Sequence, residues 1–264
     1  MLTLSEINIY PIKSLGGISL QSSVVEERGL KHDRRWVLVD ESNKFFTQRD
    51  FPEMALIKVA VDQDGLKLQH KTKTIEQLFI PFEFEHSKTD KVVIWDDTVT
   101  GEFYNSQIDN WFSEIIGIEC HLVKMPESTK RVVDTTYAKN KIVRFADRFP
   151  FLIIGQASLD DLNSRIEVPL PMNRFRTNFV FTGGKSFEED NWKSFKIGDV
   201  AFQAVKPCAR CVITTTDQET SDRAHEPLLT LSKYRKVDNK VMFGMNLVCE
   251  STGQITVGNK IELL

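Results

Sequence analysis

The chain has 264 residues, enough for one large domain or two small ones with a real hydrophobic core. With 41% hydrophobic and 27% charged residues it has globular proportions, which exclude a disordered or fibrous chain. Lys plus Arg is 34 against 37 Asp plus Glu, a formal net charge of -3. That balance excludes recruitment of a nucleic-acid polymer or an anionic membrane by the whole surface, and leaves room only for local basic patches.

The chain opens MLTLSEINIYPIKS, with no basic-then-apolar signal, and no apolar stretch reaches the roughly 20 residues of a membrane helix. Its four cysteines are Cys120, Cys208, Cys211 and Cys249, too few for a disulfide scaffold. A cytoplasmic protein without a membrane segment is expected. Short β-prone runs fill the first 70 residues: Ile7–Tyr10, Val24–Val25 and Trp36–Val39, then Leu56–Val61 and Leu66–Leu68 around an Asp64-Gly65 turn. This spacing suits a small barrel or sandwich.

Ile108, Trp111, Phe112, Ile115 and Ile116 then fall on one face of an amphipathic helix that Gly117 ends. A strand is expected near Glu119–Val123. Residues 126–148 are polar and irregular, with Lys130, Arg131, Lys139, Lys141, Arg144 and Arg148, and read as a long surface or functional loop. Phe151–Ile154 is an apolar run. Ser158 and Asp161 match a capping box opening a helix through Leu159, Leu162 and Ile166. Strands are expected again at Asn178–Phe181, Val200–Val205, Val212–Thr216, Met242–Val248 and Ile255–Leu263, with a short helix at Pro227–Tyr234. The expected class is mainly β with a few helices, divided near residues 1–120 and 121–264.

The local oddity is Cys208-Ala209-Arg210-Cys211. Tetrahedral zinc needs two further ligands, and no second pair or HxxxH is present. A thioredoxin-like pair opens a helix, whereas a β-branched run follows here. An inert buried pair and a thiolate held by Arg210 both remain open. Lys13-Ser14 before Gly16-Gly17, Arg34-Arg35 and Arg174-Phe175-Arg176 place cations at strand mouths. Such groups bind phosphate or pair with a carboxylate such as Asp33. There is no Walker frame and no GxSxG elbow. His32, His70, His86, His121 and His225 show no metal spacing.

Taken in order, these residues resemble the MOSC family, named for the C-terminal domain of molybdenum cofactor sulfurase. The likeness is to its two-part members with an N-terminal β-barrel region, such as the mitochondrial amidoxime-reducing component and bacterial relatives. It rests on Tyr10-Pro11-Ile12-Lys13-Ser14 with Gly17, Asp33-Arg34-Arg35-Trp36, Ala157-Ser158-Leu159, Asn173–Asn178, Ile197-Gly198-Asp199, Cys208–Cys211, Thr214-Thr215 with Asp217, and Glu226-Pro227-Leu228.

The resemblance implies a MOSC β-barrel domain plus an N-terminal β-barrel-like region sharing one cleft for a molybdenum–molybdopterin cofactor. It implies Cys211 as metal ligand and catalytic residue, and Lys13, Ser14, Arg34 and Arg176 as holders of the pterin and its phosphate. Arg210 stands beside the ligand in sequence. Arg148 and Asn246 fall at further contact positions with residue types different from those of the relatives, and Ala209 replaces a serine. The implied reaction is two-electron reduction of N-hydroxylated compounds (hydroxylaminopurines, amidoximes, hydroxylamines) to amine or amidine and water. A cofactor or sulfur carrier without turnover is the rival. The chain is expected to stop with the MOSC region and lacks C-x4-C-x2-C spacing, so the expected electron donors are separate proteins, a flavin reductase and a ferredoxin- or flavodoxin-like carrier. A monomer is expected.

Overall fold

The computed structural model describes residues 1–85 and 88–264; His86 lies outside the described residues. The mainly β expectation holds. A nine-stranded sheet runs Ile18–Leu20, Thr3–Ile9, Phe179–Thr182, Phe151–Gly155, Lys240–Cys249, Val200–Arg210, Ser194–Ile197 and Ile261–Leu263, with Lys236–Val237 added alongside Lys240–Cys249. Strands from the first twenty residues therefore sit in a sheet built mostly from the last 114. A second sheet orders Trp36–Asp40, Cys120–Lys124, Asp97–Phe103 and Lys88–Ile94. Two three-stranded sheets complete the main architecture, one of which pairs Ser22–Glu26 with Gly253–Thr256.

Each large sheet buries apolar residues in two clusters, alternate residues of a strand falling in different ones. Phe151, Phe179, Phe181, Phe195 and Phe202 pack with Ile7 and Trp192 against the first. Trp36, Leu38, Leu66, Leu68 and Leu122 pack with Ile108, Phe112 and Ile115 in another. The helix that contributes those last three is Ser106–Ile116. Asn105 caps it by accepting from the Ile108 N–H, and Gly117 ends it with φ 82°, a value glycine adopts at little cost. Among the described residues no helix is long and apolar enough to cross a membrane.

Four local expectations differ. The strand expected at Ile255–Leu263 is two, Gly253–Thr256 and Ile261–Leu263, in different sheets. Val212–Thr215 forms a 3-10 turn, not a strand. The Thr214 and Thr215 hydroxyls donate back to the carbonyls of Cys211 and Val212, which closes the backbone. The helix expected to start at Ser158 starts at Gln156, and the Ser158 hydroxyl instead donates to the buried carboxylate of Glu189. Residues 126–148 are not simply solvated. They contain the hairpin Arg131–Val132/Ile142–Val143, and both Arg131 and Arg144 are buried. Arg131 donates to the carbonyls of Arg144, Ala146 and Asp147, and pairs with Asp97. Satisfied in this way, a guanidinium can be buried.

Candidate functional site

The site grows from the segment Tyr10–Ser14, which is buried throughout. Its backbone is tied to the next strand: Lys13 N–H donates to the Trp36 carbonyl and Arg34 N–H to that of Tyr10. Buried Asp33 is the hub. Its carboxylate accepts from the Tyr10 N–H at 2.6 Å, from Arg34 Nη1 at 2.6 Å and from Asn178 Nδ2 at 3.1 Å. One side chain thereby joins the first segment, the Arg34 turn and the Asn178 strand.

Arg34 donates from Nη2 to the Arg176 carbonyl at 3.0 Å, and Arg176 donates to the Leu15 carbonyl at 2.8 Å. Both guanidinium groups pack on the Tyr10 ring, 4.5 and 4.2 Å from its centroid. Burial lowers the Arg176 pKa to about 10 and pushes Tyr10 up to about 12, the two arginines opposing the latter. Ser14, Arg34 and Arg176 all carry positive φ, 69°, 45° and 52°. Backbone strain of this kind, when it gathers at one cavity, is a mark of functional sites.

A cavity of about 130 Å³ is lined by Lys13, Ser14, Arg34, Arg148, Arg176, Arg210 and Asn246 together with Cys208. Every sequence-expected pterin and phosphate residue thus borders one space. Its lining holds five cations against the single carboxylate of Asp147, in a chain whose net charge is negative. A roomier cavity of about 540 Å³ borders Tyr10 but balances Lys58 and Lys71 against Glu6 and Glu219, so it offers an anion no net field.

The thiols divide differently from their order in sequence. Cys208 sits where the register of Val200–Arg210 against Lys240–Cys249 shifts, a bulge that re-aims its side chain. Arg210, two residues on, donates from Nη1 to Cys208 Sγ at 3.0 Å and from Nη2 to the Phe175 carbonyl. Arg210 is therefore beside Cys208 rather than Cys211. Cys211 opens the 3-10 turn and is not part of the cavity lining. Both thiols are free and half-buried, unlike an inert core pair.

Sequence reading missed Arg49 and Asp147. Asp147 takes the Lys13 ammonium, Arg49 Nη2 at 3.1 Å and Trp95 Nε1 at 3.3 Å. Burial alone would raise its carboxyl; Lys13 and Arg49 outweigh that and hold it far below the usual carboxylate range. Burial in turn lowers Lys13 to about 8, with Asp147 opposing. Arg49 shows the reverse balance: burial would lower it, and Asp147 and the sulfur of Cys211 raise it. These pairs join positions 98 and 134 residues apart, so no local signal marks them.

The donor set fits a phosphate-bearing, soft-metal cofactor. Among the described residues Arg210 Nε is buried without a hydrogen-bond partner, and the Arg176 guanidinium commits a single N–H. Among the described residues no three His, Cys, Asp or Glu gather as a metal cluster, so a metal here would bring most of its ligands with it. The cavity alone is smaller than the roughly 300–1,000 Å³ of ordinary ligand pockets. Asp147 and Arg148 also line an adjoining groove of about 330 Å³.

Residues 1–119 match the MOSC N-terminal beta barrel domain and residues 140–262 the MOSC domain. Mitochondrial amidoxime reducing component 2 of Rattus norvegicus is 32% identical, covering 98% of this chain and 82% of that protein. Molybdenum cofactor sulfurase of Oryza sativa is 30% identical over 92% of this chain. The chain spans only about a third of that sulfurase's length, the share being 32%. The crystal structure of the YUAD protein from Bacillus subtilis aligns with a TM-score of 0.46 at 12% identity, over 99% of this chain and 95% of that one. The chain belongs to the MOSC family, joining an N-terminal MOSC β-barrel region to a MOSC domain.

Proposed function

We propose that this protein is a cytoplasmic, molybdenum-cofactor-dependent reductase of N-hydroxylated compounds. The observation that carries the reading is the single cavity on which Lys13, Ser14, Arg34, Arg148, Arg176, Arg210 and Asn246 meet, with five cations against one carboxylate. Kinship with amidoxime-reducing components supports the substrate class.

In this reading Cys211 is the metal ligand and the one catalytic residue of the chain. Arg34, Arg176 and Lys13 hold the phosphate, with the Ser14 hydroxyl beside them. Arg148, Arg210 and Asn246 hold the remainder of the cofactor. Asp33 fixes Arg34, and Asp147 fixes Lys13 and Arg49. Bound there, the cofactor supplies a two-electron redox metal. The balance is one N-hydroxyl group, two electrons and two protons giving one amine or amidine and one water. The electrons come from separate proteins, a flavin reductase and a ferredoxin- or flavodoxin-like carrier, and the working unit is a monomer.

The test is expression in a host that makes the cofactor, followed by metal analysis and turnover of benzamidoxime with a chemical reductant. One molybdenum per chain, lost in Cys211→Ala, and formation of benzamidine are the expected results. Stoichiometric molybdenum without turnover points to the carrier reading. Absence of molybdenum overturns the reductase and the cofactor-carrier readings and leaves the sulfur carrier.

A further inference from the structure

The adjoining groove of about 330 Å³ is lined by Trp95, Asp96, Val132, Asp134, Asp147 and Arg148, among others. It shares Asp147 and Arg148 with the candidate cofactor cavity, so the two spaces adjoin. Trp95 stands at the turn between the strands Lys88–Ile94 and Asp97–Phe103. A bulky residue at such a turn is expected neither to be exposed nor to carry positive φ. Trp95 is 42% exposed with φ 56°.

Its indole is nonetheless fixed from three sides. Nε1 donates to Asp147, the Arg49 guanidinium lies 4.8 Å from the ring centroid, and Phe45 meets it edge-on at 5.0 Å. A large aromatic surface is thus held in place beside the cavity while part of it stays in water. Asp96 and Asp134, on the same groove, have no ion-pair partner among the described residues, whereas Asp97 and Asp147 are committed to Arg131 and to Lys13 with Arg49.

Resting on the reductase reading, we infer that this groove is the substrate vestibule and that Trp95 is the platform on which a flat, ring-bearing amidoxime or N-hydroxylaminopurine stacks. The chemistry matches on two counts. Stacking of a planar ring on an aromatic side chain tolerates different rings, because each presents a π-face. The N–H and O–H donors of an N-hydroxyamidine suit the carboxylates of Asp96 and Asp134; Asp134 already accepts from the Thr136 N–H and feels the charges of Arg148 and Lys206, so Asp96 is the freer of the two. The amidine product is a stronger base than its N-hydroxy precursor, so as a cation it also binds the groove. Trp95 acts through binding and positioning; it takes no part in breaking the N–O bond.

Two measurements test this, and the first needs no turnover. Benzamidine titrated into the wild-type protein quenches tryptophan emission, and Trp95→Phe, which retains Trp36, Trp111 and Trp192, removes most of that quenching. In steady-state assays with a chemical reductant, Trp95→Ala raises KM for benzamidoxime about tenfold with kcat changed less than threefold. Trp95→Phe keeps the ring and stays within about threefold of wild-type KM. For hydroxylamine, which has no ring, the KM rise in Trp95→Ala is at least fivefold smaller. Equal losses for benzamidoxime and hydroxylamine overturn the platform, as does quenching that persists in Trp95→Phe. A wild-type protein that binds benzamidine through Trp95 but reduces nothing leaves the groove standing and removes the reductase reading instead.

Discussion

Lys13 shows how one residue serves both fold and site. Its ammonium is buried, donates to the Phe145 carbonyl at 2.8 Å and pairs with Asp147. Burial disfavours the charge and lowers the pKa to about 8 in the fold, against 10.5 in an open chain. Between those values the unfolded chain binds more protons, so this group adds to stability as pH rises from 8 towards 10.5. Anion binding runs the other way, because the phosphate is held by the protonated form. Molybdenum retained through gel filtration should therefore fall above about pH 8 while the fold persists by circular dichroism. In Lys13→Arg, whose guanidinium keeps its charge, retention should stay level from pH 7 to 9.5. A wild-type profile level over that range would exclude Lys13 from holding the anion.

At the scale of elements, Gly17 is a matter of space rather than of backbone freedom. A Cβ there would stand 2.5 Å from Tyr10 Cε1 and 3.0 Å from Cδ1. The ring cannot retreat freely, since Arg34 and Arg176 pack on it and its hydroxyl donates to the Thr177 carbonyl. Gly17→Ala should cost about 1–3 kcal/mol, as overpacking usually does, and lower molybdenum content by moving the Tyr10–arginine stack. Urea denaturation and metal analysis check it; a variant equal to wild type in both would show that the turn yields. The same scale separates what sequence discloses from what it hides. Helix Ser106–Ile116 is legible because its apolar period and Gly117 agree, while its Asn105 cap shows only in the structure. The turn Val212–Thr215 is not, because β-branched composition suggests a strand while two threonine hydroxyls close the backbone locally. The cations of the site are legible as residue types at strand mouths. Their convergence is implied only by the family resemblance and not by local pattern, since the bonds that assemble them, Arg34 to Arg176 and Arg176 to Leu15, span 142 and 161 residues.

Across the whole molecule, the two family regions are consecutive in sequence but interleaved in space. Thr3–Ile9 pairs with Phe179–Thr182 and Ser22–Glu26 with Gly253–Thr256, while Cys120–Lys124, between the two matched regions, pairs with Trp36–Asp40. A cut between residues 119 and 120 breaks all three ladders at once. The N-terminal fragment would lose a strand from its four-stranded sheet and leave Thr3–Ile9 without its partner across the sheet. The C-terminal fragment would expose one side of Phe179–Thr182, whose Phe179 and Phe181 belong to the large core. Open apolar edges of this kind aggregate. Fragments 1–119 and 120–264 made separately should therefore be insoluble or lack fixed near-ultraviolet dichroism, and neither should retain molybdenum. Refolded together from denaturant, they should recover the spectrum of the intact chain, because each ladder then finds its partner. A soluble fragment that binds the cofactor as tightly as the whole protein would show that the site belongs to one region. It would also leave the ladders between the regions as packing alone.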